Sequence, residues 1–146
     1  LADTVVTFMG AHAFPEGLSR VEYVSEVIRI LPLVKDLAEY CDVFCEEGAF
    51  TVDESKEILV AAKSLGFKLK IHADEFGDTG GGRLGAELGV ITADHLAGSS
   101  LETIKELSNS GVIGVLLPGT LNTVSRIITY QQSRDRKIQK FEENYE

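Results

Sequence analysis

The side chains able to do polar chemistry in this chain are few and spread far apart along it. Its three histidines are His12 in Met9-Gly10-Ala11-His12-Ala13, His72 in Ile71-His72-Ala73-Asp74-Glu75-Phe76, and His95 in Ala93-Asp94-His95-Leu96. Carboxylates accompany them: Asp74 and Glu75 beside His72, Asp94 beside His95, and Glu46-Glu47 after the apolar run around Val43. A neutral imidazole can hold a divalent metal or move a proton near neutral pH, and a carboxylate can take a proton from water. Brought to one place, these groups suit metal-assisted hydrolysis. One imidazole holds the metal, a carboxylate acts as base, and a second imidazole polarises a carbonyl or protonates a leaving nitrogen.

Each residue taken alone also has a plain reading. A single histidine at a strand end is more often a satisfied structural or surface group. Asp94 reads equally as a turn residue, and Glu46-Glu47 as a solvated loop. The run Gly80-Gly81-Gly82 can offer backbone N–H groups to an anion at a helix start, or simply connect two elements. Cys41 and Cys45 stand four apart with no second pair, which fits neither a disulfide framework nor a zinc ribbon. They read as small buried hydrophobes in a reducing compartment.

Such distant residues meet only if regular elements carry them to one face. Short β-type runs at Thr4–Met9, Asp42–Cys45, Phe67–Ile71, Val90–Ala93 and Val112–Leu117 alternate with amphipathic helical stretches, the pattern of parallel βα units. Val21, Val24, Val27, Ile28 and Leu31 fall at helical spacing, and Pro32 is expected to kink or restart that helix on its way to Tyr40. Thr51 three residues before Glu54 predicts a capping box, with Ile58, Leu59, Ala62 and Leu65 as the buried face and Gly66 as the stop. The glycine run predicts a helix over Arg83–Leu88. Ser99 with Glu102 predicts a further capping box, its helix ending near Asn109 before Gly111.

In this scheme every histidine falls just past the carboxyl end of a strand, the face on which βα proteins build active sites. The strand starts lie roughly 22 to 38 residues apart, near the ~30-residue spacing of a βαβ unit. An eight-stranded barrel needs ~250 residues. The expected fold class is therefore α/β, a partial (β/α)8 TIM barrel of about five parallel units, or else a small open sheet. Residues 1–120 are expected to form this portion. Residues 121–146, rich in Gln, Arg, Lys and Glu, are expected to be a divergent polar helical tail.

Composition narrows the partners. With 14 Lys+Arg against 23 Asp+Glu, the net charge is −9 and the pI is about 4.8. Nucleic-acid affinity comes mainly from basic side chains displacing counterions, so no nucleic-acid partner is expected. The apolar runs are much shorter than the ~20 residues of a membrane helix, and the N-terminus lacks a basic-plus-apolar leader. No membrane partner and a cytoplasmic location are expected. The sequence opens at Leu1 rather than Met, which suggests an excerpt of a longer chain.

Five segments together carry a resemblance. Thr7-Phe8-Met9-Gly10-Ala11-His12-Ala13, Cys41-Asp42-Val43-Phe44-Cys45-Glu46-Glu47-Gly48, Ile71-His72-Ala73-Asp74-Glu75-Phe76, Ala93-Asp94-His95-Leu96 and Val115-Leu116-Leu117-Pro118-Gly119 resemble, in order, the motifs of the imidazolonepropionase family of metal-dependent amidohydrolases. The resemblance spans roughly residues 4–120. It implies a (β/α)8 barrel with a small β-sandwich, a homodimer, and a zinc or iron cofactor. It also implies a small-molecule substrate, 4-imidazolone-5-propanoate, hydrolysed to N-formimino-L-glutamate in histidine degradation.

Carried over position by position, the resemblance makes His72 a metal ligand and Glu75 the acid/base carboxylate. His95 becomes a substrate-binding residue that polarises the reacting carbonyl, and His12 a substrate contact. The superfamily's His-x-His metal pair and its eighth-strand Asp have no counterpart in these motifs. Catalytic zinc usually takes three protein ligands, so the chain by itself is expected to be inactive. Two other readings stand beside this one. The first is a different amidohydrolase, such as a deaminase or cyclic amidase. The second is a non-catalytic α/β interaction module with structural histidines and the open edges of an unclosed barrel.

Overall fold

The computed structural model describes residues 3–119. Nine elements alternate along it: β1 (Thr7–Ala11), α1 (Arg20–Val34), β2 (Tyr40–Cys45), α2 (Val52–Ser64), β3 (Lys68–Ala73), α3 (Gly81–Leu88), β4 (Thr92–His95), α4 (Leu101–Asn109) and β5 (Ile113–Val115). All five strands are parallel and stand in the order β1-β2-β3-β4-β5. A doubly wound sheet reverses its strand order at a switch point, whereas each strand here pairs with its successor, as around a (β/α)8 barrel. The α/β class and the partial barrel are borne out.

The chain divides into two compact units, Leu1–Leu116 and Leu117–Glu146. Of the second, only residues 117–119 are described, so the expected tail at 121–146 lies outside the described residues. Among the described residues no helix is long and apolar enough to cross a membrane.

Alternation along the strands separates two faces. Cys41, Val43 and Cys45 of β2, Leu69, Ile71 and Ala73 of β3, and Ala93 of β4 are buried beneath the helices. Val24, Val27 and Leu31 of α1, Ile58, Leu59 and Ala62 of α2, Leu84 of α3 and Leu107 of α4 complete this core. Tyr40, Asp42 and Phe44, Lys68, Lys70 and His72, and Thr92 and Asp94 occupy the opposite face. The register there sets Asp42 beside Lys70 and Phe44 beside His72, with His72 in turn beside Asp94.

The helices start largely as the sequence implies. Ser19 and Thr51 each close a capping box, with Glu22 and Glu54. Three local expectations are corrected. α1 runs through Pro32 to Val34 without restarting, because a proline this close to a helix end removes a hydrogen bond only in the final turn. The cap of α4 is Ser100, whose hydroxyl accepts from Thr103 N, while Ser99 instead donates to Asp74 at 2.7 Å. The third and fourth strands extend past their apolar runs, because ladder pairing continues through polar residues as far as Cys45↔Ala73 and Ala73↔His95. His72 therefore lies within β3 and His95 ends β4. Of the three histidines only His12 follows its strand, β1.

The glycine run is there for close packing. A Cβ on Gly81 would stand 2.9 Å from Ala73 Cβ, and one on Gly82 would stand 2.6 Å from Thr103 Cγ2 and 2.7 Å from Asp74 Oδ2.

Candidate active site

His12 reaches the inner face through an irregularity. The β1–β2 register shifts between Phe8 and Ala11, so Ala11 pairs with Val43 on the helix side and His12 turns inward, as an inserted residue does in a bulged strand. Tyr23 Oη donates to the Gly10 carbonyl at 2.8 Å, fixing that bend. His72 comes from β3 directly. His95 is held at φ 76°, followed by Leu96 at φ 59°, a left-handed pair that costs of order 1–3 kcal/mol per residue and persists only where its surroundings enforce it.

These placements bring the three imidazoles into a row. Ring centroids lie 5.0 Å apart for His12–His72 and 5.2 Å for His72–His95, with the Phe44 ring 6.3–6.4 Å from all three. Carboxylates thread between them. Asp42 Oδ1 is 3.1 Å from His72 Nδ1, and its Oδ2 is 3.9 Å from His12 Nε2. Asp94 Oδ2 is 3.8 Å from His72 Nε2, and Glu75 Oε1 is 3.5 Å from His95 Nδ1. Every site residue expected from the sequence, His12, His72, Glu75 and His95, stands in this one group.

Burial and charge act differently on two of the imidazoles. Burial pushes the His12 pKa below its ordinary value, with the charge of Asp42 opposing and that of His72 reinforcing the shift. Burial also works against protonation of His72. There the hydrogen bond and charge of Asp42, aided by the charge of Asp94, outweigh it and raise the pKa.

The other carboxylates have structural duties. Glu46, 4% exposed, accepts at Oε2 from the backbone N–H groups of Glu75 (2.7 Å) and Phe76 (3.1 Å), and at Oε1 from Glu47 N (2.9 Å). It ties the loop after β2 to the loop that carries Glu75. Asp74, fully buried at φ 52°, accepts from Thr79 N, Thr79 Oγ1, Gly82 N and Ser99 Oγ. The N-terminus of α3, read from the sequence as a potential anion site, is thus filled by the chain's own carboxylate.

The donors suit a metal ion. His12, Asp42 and His72 each present a ligand atom, all within 4.8 Å of one another. Among the described residues, the buried ring nitrogens of His12 and Oδ1 of Asp94 make no hydrogen bond of ordinary geometry, which leaves them able to serve a ligand. Nitrogen and oxygen donors of this kind suit a divalent metal ion. Sequence reasoning missed Asp42 as a site residue, although a lone acid inside the apolar run Cys41-Asp42-Val43 was the available signal. A neighbouring cleft of about 580 Å³, lined by Arg20, Glu46, Asp53 and Thr79 among others, contains no imidazole.

Against known proteins, the chain is 53% identical over 120 residues to an imidazolonepropionase of Fusobacterium nucleatum, covering 80% of this chain and 29% of that protein. It is 53% identical over 124 residues to one from Caldanaerobacter subterraneus, covering 82% and 30%. A third, from Bacillus cytotoxicus, is 50% identical over 123 residues, covering 81% and 29%. The chain therefore spans about three tenths of the length of these relatives, and the resemblance carried by its five motifs extends over four fifths of it. No family model matches the chain. The solved structure of a Xaa-Pro dipeptidase with methionine bound in its active site aligns with a TM-score of 0.53 at 22% identity, covering 77% of this chain and 33% of the other. That likeness is one of fold.

Proposed function

We propose that this chain forms the substrate side of an imidazolonepropionase active site, hydrolysing 4-imidazolone-5-propanoate to N-formimino-L-glutamate as part of a longer amidohydrolase barrel. The observation that carries this reading is the convergence of His12, His72, Glu75 and His95 at one end of the sheet, in a chain 50–53% identical to imidazolonepropionases. His72 would hold a divalent metal, zinc or iron, with ligands from elsewhere in the longer barrel completing the site. The bound cation supplies Lewis acidity, which polarises a carbonyl and makes water a better nucleophile at neutral pH.

The chain's own residues do the rest. Glu75 accepts a proton from the attacking water and returns it to the ring nitrogen as the C–N bond breaks, so the nitrogen ends as the formimino N–H and the carbonyl carbon as a carboxylic acid, which releases the second water proton to solvent and becomes the carboxylate. His95, beside Glu75, donates a hydrogen bond to the reacting carbonyl oxygen. His12, whose ring nitrogens make no hydrogen bond of ordinary geometry among the described residues, holds the imidazolone ring. Residues 1–120 act as the barrel portion in this reading. The whole enzyme is a cytoplasmic homodimer that has no nucleic-acid partner.

The test is a chimera in which residues 4–120 replace the matching stretch of the Fusobacterium nucleatum relative. Metal content and imidazolonepropionate hydrolysis are measured beside that relative and beside the 146-residue chain. Turnover with stoichiometric metal in the chimera, its loss in His72→Ala and Glu75→Gln, and an inactive short chain are expected. A folded, metal-loaded chimera that leaves the substrate intact would overturn the reading.

A further inference from the structure

We propose that Asp42 is a positioning residue that fixes the tautomer and ring orientation of His72, so that His72 presents Nε2 to a bound cation. The proposal rests on the reading of His72 as a metal-holding residue and extends it to a residue to which the resemblance assigned no role.

Asp42 is an odd residue for its position. It lies in a strand between two fully buried apolar neighbours, Cys41 and Val43, and is itself only 1% exposed. A carboxylate so placed is costly unless its oxygens are matched by donors. Among the described residues its one hydrogen bond is to the His72 ring, at 3.1 Å from Nδ1. An ionised carboxylate can only accept, so Nδ1 must carry the proton, and in the neutral imidazole that leaves the lone pair on Nε2. At that end of the ring Asp94 Oδ2 stands 3.8 Å away, beyond hydrogen-bond length. One ring nitrogen is engaged and the other is left available.

The sheet explains why the carboxylate meets Nδ1. Asp42 pairs with Lys70, and His72 pairs with Phe44, two residues further along β2. The acid therefore sits on the same inner face, one step before the imidazole, and reaches the ring nitrogen nearer the backbone. A metal-ligating histidine commonly donates its second N–H to a carboxylate in this way, and removing the carboxylate typically costs 10–100-fold in metal affinity.

The rival arrangement uses the same atoms differently. If Asp42 were itself a ligand alongside His12 and His72, a cation among the three would take His72 through Nδ1, the atom now bonded to Asp42. The two arrangements predict opposite ring nitrogens.

The experiment uses the metal-free chimera described above, labelled with ¹⁵N-histidine, with long-range ¹H–¹⁵N correlations recorded at about pH 9, where imidazoles are neutral. His72 is expected as the Nδ1–H tautomer in the unaltered chain and as a mixture shifted toward Nε2–H in Asp42→Ala. Asp42→Asn, whose amide oxygen still accepts, is expected to keep most of the Nδ1–H form. This variant also answers the case in which the alanine chain fails to fold. Zinc titration against a chelating indicator should then read a 10–100-fold weaker site in Asp42→Ala, a smaller loss in Asp42→Asn, and a shift of the His72 Nε2 resonance on binding.

An Nε2–H tautomer in the unaltered chain, a tautomer indifferent to Asp42→Ala, or zinc attached through Nδ1 would each overturn the proposal. Zinc affinity unchanged in His72→Ala is a separate failure: it removes the metal-holding role while leaving the Asp42–His72 tautomer result to be judged by itself.

Discussion

His72 and His12 share Asp42 yet their pKa values are shifted in opposite directions, and the signs set a pH dependence for the metal-free chain. The folded pKa of His72 is raised above 6.5 because its carboxylate partners outweigh burial. Its contribution to stability is therefore fully present below pH 6.5 and is lost as pH rises through the folded value. The folded pKa of His12 is lowered below 6.5, burial being the first cause. Its contribution is present above pH 6.5 and is lost as pH falls through the lowered value. These two residues together place a stability maximum close to pH 6.5. Urea titrations at a series of pH values, with a chelator present, are expected to show that His72→Gln flattens the fall on the alkaline side and His12→Gln flattens the fall on the acid side. A fall above pH 6.5 that survives in His72→Gln would contradict the assignment. Cys41 plays no part in this window, since burial and then the charge of Asp42 push its thiol up to about 12.

Elements do their positioning here through the loops at their carboxyl ends, and the loops are tied by buried acids. Glu46 from the end of β2 receives two backbone N–H groups of the loop after β3, which orients Glu75 toward His95. In Glu46→Ala those donors lose their partner inside the protein, and a buried unsatisfied donor costs about 1–3 kcal/mol. The expected result is a loss of about 2–4 kcal/mol in denaturant unfolding, since more than one donor is affected. In the chimera, hydrolysis should fall more than substrate affinity does, because Glu75 is misplaced rather than removed. Unfolding unchanged within error would show that the loop is held by other contacts. The helices set the same geometry from behind: α3 lies close enough to β3 only because Gly81 and Gly82 lack side chains. That approach lets the Gly82 N–H reach Asp74.

At the scale of the molecule, five parallel strands form a sheet whose first and last members, β1 and β5, each pair on one side only among the described residues. Apolar side chains stand exposed next to or within these edges: Val5 and Val6 before β1, Met9 in it, Ile113 in β5 and Leu116 after it. Unpaired strand edges with apolar neighbours favour association between chains. The 146-residue chain is therefore expected to scatter light as oligomers whose mass grows with concentration, and the chimera to scatter as a species of fixed mass. A short chain that stays monodisperse and unfolds cooperatively would mark it as a self-sufficient domain and weaken the partial-barrel account of its function.

The sequence by itself displayed the alternation of strands and helices, the cap at Thr51, the α/β class, and, through its motifs, the four residues on which the proposed chemistry is built. These follow from local periodicity, cap chemistry and motif, which a linear chain displays. It missed the ends of β3 and β4, because pairing with a neighbouring strand continues through polar residues that apolar periodicity cannot see. Only the tertiary structure decided which acids act where. Glu46 and Asp74 became ties between loops and Asp42 the partner of His72, because a carboxylate's role depends on which donors lie within hydrogen-bond reach. The donors that join one βα unit to another lie 25 to 30 residues away along the chain, brought near by the register of the sheet.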